Sequence, residues 1–204
     1  MDRSYKSTWF SLLFNLLFSG YHILFGVIEH SWWLFTLGIY YVILGAIRCA
    51  VVLTARSDRT IAVFTGIMLM VLSVPLAGIT VLAVVEDRGT VFHEIVMITI
   101  AVYAFSKITL AVIKLVKSRQ LCSAKESALR NISLAAAFVS IFSLQRSMLV
   151  SFGGMTAEGI RIMNGATGIG VCILVFWMGL HLVRKHKPIH TIRDTVLRRY
   201  PQFL

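Results

Sequence analysis

The amino-acid sequence predicts an all-α fold: a polytopic membrane protein in which six transmembrane helices form a single bundle. The chain has 204 residues, of which 57% are hydrophobic and 14% are charged, and its mean hydropathy is +0.81. This composition is too apolar for a soluble globule, and the chain is too short for two membrane domains. In addition, sixteen of the twenty Lys and Arg residues fall into four clusters that alternate with nearly uncharged apolar stretches.

Each of the six apolar stretches has the length that a bilayer requires. A hydrocarbon core about 30 Å thick needs roughly 20 apolar residues per helix. Helices are indicated rather than barrel strands, because runs of this length satisfy every backbone group internally. Residues 1–204 are thus predicted to form one transmembrane domain with a basic cytoplasmic tail over 184–204. The predicted spans lie near 9–28, 31–54, 60–85, 92–117, 129–150 and 161–183.

The positions of the basic residues predict the orientation of the spans. Arg3 and Lys6 precede the first span, Arg48, Arg56 and Arg59 join the second span to the third, and further clusters surround the connection near 117–128 and follow the last span. The other connections carry mainly Glu and Asp. Because cytoplasmic loops collect Lys and Arg, we expect an integral protein of the plasma membrane with both termini in the cytoplasm.

The formal net charge of +11 does not indicate a nucleic-acid-binding protein, because its basic residues flank apolar spans instead of forming a separate basic domain. The expected surroundings are the lipid bilayer, with a second copy or another membrane protein as partner. Cys49, Cys122 and Cys172 are isolated in the sequence and have no His at metal-binding spacing. They are expected to be free thiols.

Polar residues recur on one face of the first span. Asn15, Ser19, His22, Gly26 and Glu29 follow one another at steps of four, three, four and three residues, which places them on one side of a helix. Such a face is expected to contact protein and not lipid. It either lines a path for a solute or supplies hydrogen bonds and close packing between helices.

A lysine lies well inside the fourth predicted span. A charge at the centre of a membrane helix costs roughly 2.5–3.5 kcal/mol on insertion scales. Lys107 shares a helix face with Tyr103 and Lys114, and three interpretations remain open. Its amine extends toward the cytoplasmic surface, faces a cavity where it binds an anion or exchanges protons, or forms a structural ion pair.

No catalytic arrangement is recognisable in the chain. It contains no HExxH, no GxSxG and no pair of carboxylates within a span, which argues against a membrane protease or hydrolase. We therefore predict that the protein is not an enzyme.

The order of several residues over positions 10–150 carries a family resemblance. These residues are Asn15, Gly26, Ser31, Arg59, Lys107, Ser123 and Ser140. In this order they resemble the transmembrane domain of the cation diffusion facilitator transporters, which implies six helices with both ends in the cytoplasm.

The metal ligands of that family have no counterpart here. The family holds its metal with His/Asp pairs four residues apart on the second and fifth spans, and the corresponding positions are Tyr40 with Leu44 and Ile132 with Ala136. A divalent ion needs about four N, O or S ligands, which these side chains do not supply. The resemblance therefore implies a scaffold without the usual metal site, and neither a metal nor a cofactor is predicted.

Two functions from different classes fit these features. The leading hypothesis is a transporter-like protein whose pathway is framed by the first, second, fourth and fifth spans, with Lys107 binding an anionic group or changing protonation and His22 relaying a proton. The alternative is a non-transporting membrane subunit that packs against a partner. An enzyme acting on lipid is a weaker third hypothesis. The candidate pathway residues are Asn15, His22, Tyr40, Tyr103 and Lys107.

Overall fold

A computed structural model of the protein describes residues 3–54, 58–85, 94–117, 124–151 and 154–186. All regular secondary structure within these ranges is α-helical, as the sequence predicts. The six helices are α1 (Arg3–Ile28), α2 (Trp32–Leu53), α3 (Asp58–Val85), α4 (Glu94–Lys117), α5 (Ala124–Ser151) and α6 (Ala157–His186).

Four of the helices are long and apolar enough to cross a membrane, which indicates an integral membrane protein. They are α2, α3, α5 and α6, and their qualifying stretches are Trp32–Leu53, Arg59–Val85, Ala124–Ser151 and Ala157–Lys185. Two shorter apolar stretches lie in α1 and α4, over Leu16–Ile28 and Ala101–Ile113.

Several helices extend beyond the apolar segments predicted from the sequence. Helix α5 begins at Ala124, before the predicted span at 129–150, and α6 continues to His186, so the first residues of the predicted tail are helical. The reason is that the edge of the hydrocarbon layer does not end a helix, whose backbone hydrogen bonds form equally well among polar side chains. The rest of the tail, 187–204, lies outside the described residues.

The helices pack as three principal pairs, α1 with α2, α3 with α6, and α4 with α5. Helix α5 also contacts α2, α3 and α6 and is the most enclosed of the four long helices. Two thirds of its apolar window is buried (67%), against 33% for α3 and 33% for α6. The side chains of α5 therefore face protein on most sides.

A tight turn brings α2 back along α1. The backbone N–H of Ser31 donates to the carbonyl of Gly26 at 3.0 Å, and His30 adopts a positive φ of 50°. A Cβ atom at Gly26 would lie only 2.6 Å from the backbone nitrogen of Phe35, and one at Gly38 would lie 2.9 Å from that of Ile23. These two glycines let the backbones of α1 and α2 approach closely.

Glycines also determine how closely α3 and α6 pack. A Cβ at Gly66 would lie 2.8 Å from the carbonyl oxygen of Gly179, and a Cβ at Gly179 would lie 2.7 Å from that of Gly66. About three helical turns away along α6, Gly168 faces the side chain of Thr80 at a similarly short distance. Lipid tails are as apolar as side chains, so burying apolar side chains between two membrane helices gains little free energy. The van der Waals contact that the glycines allow is therefore the main source of attraction between α3 and α6.

We expect Gly66→Ala to lower the free energy of unfolding by about 1–3 kcal/mol, because overpacking forces the α6 backbone away. The matched control is Gly78→Ala in the same helix, where no atom lies within 4 Å of the new methyl group. That variant should be neutral or more stable by up to about 1 kcal/mol, as expected for Gly to Ala in a helix. Thermal unfolding in detergent compares the two variants, and equal melting temperatures would contradict the proposed role of Gly66.

Candidate functional site

Helices α2 and α5 are joined by a line of polar contacts along one face of each. Nη2 of Arg48 donates to Oγ of Ser133, and the hydroxyls of Tyr41 and Ser140 lie 2.9 Å apart. Beyond them, the guanidinium of Arg146 lies 4.5 Å from the ring centre of Trp33. Successive contacts are separated by six to eight residues on each helix, or about two helical turns, as expected for antiparallel helices that face each other along this length. We call this set of six residues the α2/α5 seam.

The serines of the seam accept hydrogen bonds from α2 while donating to their own helix. Oγ of Ser133 donates to the carbonyl of Leu129 at 2.9 Å, and Oγ of Ser140 donates to that of Ala136 at 2.8 Å. A hydroxyl has one proton, so Ser140 accepts the proton of the Tyr41 hydroxyl. The groups that donate hydrogen bonds from α2 to α5 are therefore the guanidinium of Arg48 and the phenol of Tyr41.

Arg48 lies where three helices meet. Its side chain is only 4% exposed, and besides Ser133 of α5 it interacts electrostatically with the hydroxyl of Tyr103 on α4. One turn further along, Nζ of Lys125 donates to the carbonyl of Val52 at 3.1 Å, at the C-terminal end of α2. The positive charges of Arg48 and Lys125 complement the negative end of the α2 dipole.

Aromatic rings surround the middle of the seam. Tyr103 of α4 stacks on Phe18 of α1 with 8° between the ring planes, and the edge of Tyr41 meets Tyr103 at 6.4 Å between ring centres. His22 lies 4.2 Å from Phe18 and 5.9 Å from Tyr41, measured between ring centres. Residues from α1, α2, α4 and α5 thus meet in one place, and Phe18, His22, Tyr41, Tyr103 and Ser140 form what we call the central cluster.

His22 is buried in this cluster with little polar contact. It interacts with the backbone of Phe18 one turn earlier, but neither ring nitrogen makes a hydrogen bond of ordinary geometry within the described part of the chain. Its neighbour Ser19 donates to the carbonyl of Gly38 at 2.7 Å and so joins α1 to α2. A buried imidazole with unsatisfied nitrogens is costly, and it is able to bind a water molecule or a polar solute.

The other end of the seam contains a second buried arginine. Arg146 is 4% exposed and lies over the ring of Trp33, which is 2% exposed. The indole N–H of Trp33 and Oγ of Ser143 are buried and have no hydrogen-bond partner among the described residues. The ring of Trp33 attracts the guanidinium electrostatically, as aromatic faces attract cations.

The structure brings together two of the five predicted pathway residues, His22 and Tyr103. Tyr40 is equally buried, and its ring centre lies 6.3 Å from that of Tyr41. Its hydroxyl makes no hydrogen bond among the described residues and interacts electrostatically with Tyr41 and with Cys172 of α6. Asn15 and Lys107 occur in α1 and α4, but their side chains lie outside the described part of the structure.

The sequence analysis did not single out Arg48, Tyr41 or Arg146 as residues of this site. Arg48 was assigned to the basic cluster between the second and third spans, whereas its side chain is buried among helices. Tyr41 and Arg146 gave no distinct signal, since each is one polar residue in an apolar run. The spacing of seven between Tyr41 and Arg48, repeated between Ser133 and Ser140, is the signal that would have found the shared face.

The positions that correspond to metal ligands in the family that this sequence resembles are all buried in the core. They are Tyr40, Leu44, Ile132 and Ala136. Among the described side chains, no three His, Cys, Asp or Glu residues lie close enough together to hold a metal ion.

Comparison of the chain with models of protein families gave no match, and neither did comparison with curated proteins or with solved structures. The functional argument therefore rests on the geometry of the α2/α5 seam and of the central cluster.

We expect Tyr41→Phe to lower the free energy of unfolding by about 1 kcal/mol, because the hydrogen bond to Ser140 is lost between two buried helices. Tyr40→Phe is the matched control, since the same atom is removed from a neighbouring ring whose hydroxyl has no described hydrogen bond. It should leave stability unchanged or raise it slightly. Thermal unfolding measures both, and an equal loss in the two variants would show that the contact between Tyr41 and Ser140 contributes nothing.

Proposed function

We propose that the protein is a six-span integral membrane protein of the transporter type, with its solute pathway between α1, α2, α4 and α5. The observation that supports this most directly is the central cluster, in which polar and aromatic side chains from these four helices meet. Polar groups at membrane depth are costly and usually face a pathway or a protein interior. In this proposal the cluster is the closed midpoint of the pathway.

The lengths and packing of α1 and α4 support a count of six spans. They contain 26 and 24 residues, equivalent to about 39 and 36 Å of helix at 1.5 Å per residue, which exceeds the hydrocarbon core. Each packs along a long apolar helix, α1 on α2 and α4 on α5. We further propose that both termini lie in the cytoplasm and that the membrane is the plasma membrane, on the basis of the basic residues at one end of the bundle.

Topology is tested with single cysteines introduced into a variant that lacks the three natural ones. Glu29, in the turn after α1, is exposed, and Arg59, near the start of α3, is exposed at the opposite end of α2. A membrane-impermeant maleimide added to intact cells should label Glu29→Cys and leave Arg59→Cys unlabelled until the membrane is permeabilised. Labelling in the reverse pattern would overturn the orientation, and labelling of both from outside would overturn the span count.

Within this mechanism, His22 supplies the polar contact for a solute or for water at the midpoint. Its nitrogens make no hydrogen bond of ordinary geometry in the described structure, so a passing polar group can hydrogen-bond to the ring in place of the weak interaction with the Phe18 backbone. Tyr41 and Ser140 separate to open the passage, because their hydrogen bond links the two helices that line it. The roles that the sequence predicts for Lys107, anion binding or proton exchange, remain part of this proposal.

The competing function is a non-transporting membrane subunit that packs against a second copy or another protein. The stacking of Phe18 on Tyr103 favours it, because these rings fill the space between α1 and α4. An enzyme is the least supported proposal. The hydroxyl protons of Ser133, Ser140 and Ser147 are donated to backbone carbonyls of their own helix, so none of these serines is paired with a base that would make it a nucleophile.

Transport is tested with purified protein in liposomes, using current measurements on a solid-supported membrane. The solutes are sodium, potassium, zinc, chloride, nitrate, inorganic phosphate and glutamate. We expect the wild type to move at least one of them and His22→Ala to move it about tenfold more slowly, since a lost polar contact of about 1–2 kcal/mol has that effect. The matched control, His181→Ala, changes an exposed histidine of α6 and should behave as the wild type.

Two results would count against the transporter proposal. If the wild type moves none of the solutes and is recovered from native membranes with a stoichiometric protein partner, the subunit proposal is favoured. If His22→Ala transports as fast as the wild type, the central cluster is not the pathway.

A further inference from the structure

We propose that a groove between the C-terminal end of α2 and the first turns of α3 binds an anionic phospholipid of the cytoplasmic leaflet. One acyl chain lies in the groove, and the phosphate lies at the polar end of the groove, near Lys125 of α5. The assignment to the cytoplasmic leaflet rests on the orientation proposed above. The binding itself does not require that the protein transports a solute.

The groove is a cavity of about 200 Å³ between the two helices. Val51 and Ile61 belong to the buried core and form its floor, whereas Ala50 and Phe64 are exposed at its rim. The groove therefore opens to the outer face of the bundle. Empty space at a lipid-facing surface loses van der Waals contacts, which an acyl chain restores. The full lining consists of Ala50, Val51, Thr54, Thr60, Ile61 and Phe64.

The lining changes from apolar to polar along the groove. The apolar stretch of α2 ends at Leu53 and that of α3 begins at Arg59, so Thr54 and Thr60 lie at the polar edge of the hydrocarbon layer. Phe64 lies one turn deeper in α3. A phospholipid changes in the same direction, from its acyl chain to its ester and phosphate groups. This order favours a phospholipid over a purely apolar occupant.

The side of the bundle that contains the polar end of the groove is basic. The four clusters of Lys and Arg that are predicted for this side hold sixteen basic residues. The acidic residues within the same segments are Asp2, Asp58, Glu126 and Asp194. The net charge of this side is therefore strongly positive, whichever of these residues pair with one another. Basic residues at the cytoplasmic ends of membrane helices attract anionic lipids, so the groove lies where such a lipid is favoured.

The described structure brings several of these basic side chains to the ends of α3, α5 and α6. The start of α5 meets the end of α2 through Lys125, and the end of α6 meets the start of α3, because a Cβ at Gly66 would lie 2.7 Å from the side chain of Val183. The helix ends that surround the groove therefore share one basic surface. Its described basic residues are Arg59, Lys125, Arg130, Arg184 and Lys185.

Lys125 places one positive charge at the groove itself. Its Nζ donates to the carbonyl of Val52 at 3.1 Å, and Val52 lies in the same last turn of α2 as the lining residue Val51. An ammonium group has three protons, of which this hydrogen bond uses one. The contact also offsets the negative end of the α2 dipole, which would otherwise repel a phosphate here.

The same charge argues against a second copy of the chain as the occupant of the groove. Two copies with the same orientation in one membrane would bring their basic ends side by side, where like charges repel. An anionic lipid instead neutralises this surface. The groove is therefore assigned to lipid.

Lipid binding is tested on the purified full chain in a neutral detergent by thermal unfolding. The ligands are anionic dioleoylphosphatidylglycerol and dioleoylphosphatidylcholine, which has the same acyl chains and no net charge. We expect phosphatidylglycerol to raise the melting temperature at concentrations where phosphatidylcholine does not, because a ligand that binds only the folded state stabilises it. Glycerol 3-phosphate, which has the phosphate without acyl chains, should give no rise at the same concentrations.

A charge variant tests the headgroup contact. Lys125→Gln keeps a donor for the Val52 carbonyl and removes the charge, and it should weaken the apparent affinity for phosphatidylglycerol about fivefold, the effect of one basic residue near an anionic lipid surface. The matched control, Lys185→Gln, removes an exposed charge from the same end of the bundle and does not alter the lining of the groove. It should bind as the wild type, and an equal loss in the two variants would reduce the effect to general electrostatics and overturn the site.

A second pair of variants tests the acyl-chain contact. Ala50→Phe places a ring at the wall of the groove and should remove most of the stabilisation by phosphatidylglycerol. Ala46→Phe is the matched control, because Ala46 is exposed one turn earlier in α2 and does not line the groove. Each variant is compared with its own lipid-free melting temperature, so a change in its basal stability does not obscure the result.

Four other outcomes would overturn the proposal. Equal stabilisation by phosphatidylcholine would show that the groove does not select charge, and equal stabilisation by glycerol 3-phosphate would show a site for a free anion. An unchanged response in Ala50→Phe would place the lipid elsewhere on the protein. A dimer without bound phosphatidylglycerol in native mass spectrometry, dissociated by Ala50→Phe and kept in Ala46→Phe, would assign the groove to a second copy of the chain.

Discussion

Contact between α2 and α5 is the interaction on which the arrangement of this bundle depends. In lipid, apolar side chains gain little free energy by exchanging lipid contacts for contacts with another helix. Helices therefore associate through close packing and through polar groups that cannot face hydrocarbon. The seam supplies such groups at three levels, with Arg48 on Ser133, Tyr41 on Ser140 and Arg146 on Trp33. Sliding either helix by one turn would break all three contacts at once, and the register is therefore fixed.

The position of α5 follows from the same constraint. It is rich in serine and alanine and pairs with α2, α3, α4 and α6. Small side chains let four neighbours approach one helix, and serine hydroxyls that donate within their own helix remain able to accept from a neighbour. The serines of α5 thus allow close packing and also form the contacts of the seam. The composition of this one helix therefore shapes both the fold and the candidate site.

Sequence reasoning recovers the helices and part of the site, and the missing part has a physical cause. Hydropathy finds long apolar runs because each helix meets the lipid by itself, and the periodicity of His22 with Ser19 identifies a protein-facing side of α1. Which helix packs against which, by contrast, depends on the side chains of both helices together. Arg48 therefore looked like one more basic residue near a membrane surface, and its burial and its hydrogen bond to Ser133 distinguish it from the exposed Arg59.

The packing also indicates which parts of the bundle are able to move apart. Helices α3 and α6 meet backbone to backbone at Gly66 and Gly179, and separating them would expose the whole of that close contact. Helices α1 and α4 make no backbone approach within the described residues, and there they meet through the rings of Phe18 and Tyr103. The contact between α1 and α4 is made by side chains, which can change rotamer, whereas the contact between α3 and α6 is made by backbone atoms. In the proposed transport mechanism the opening would therefore lie between α1 with α2 on one side and α4 with α5 on the other, along the line that contains Tyr41 and Ser140.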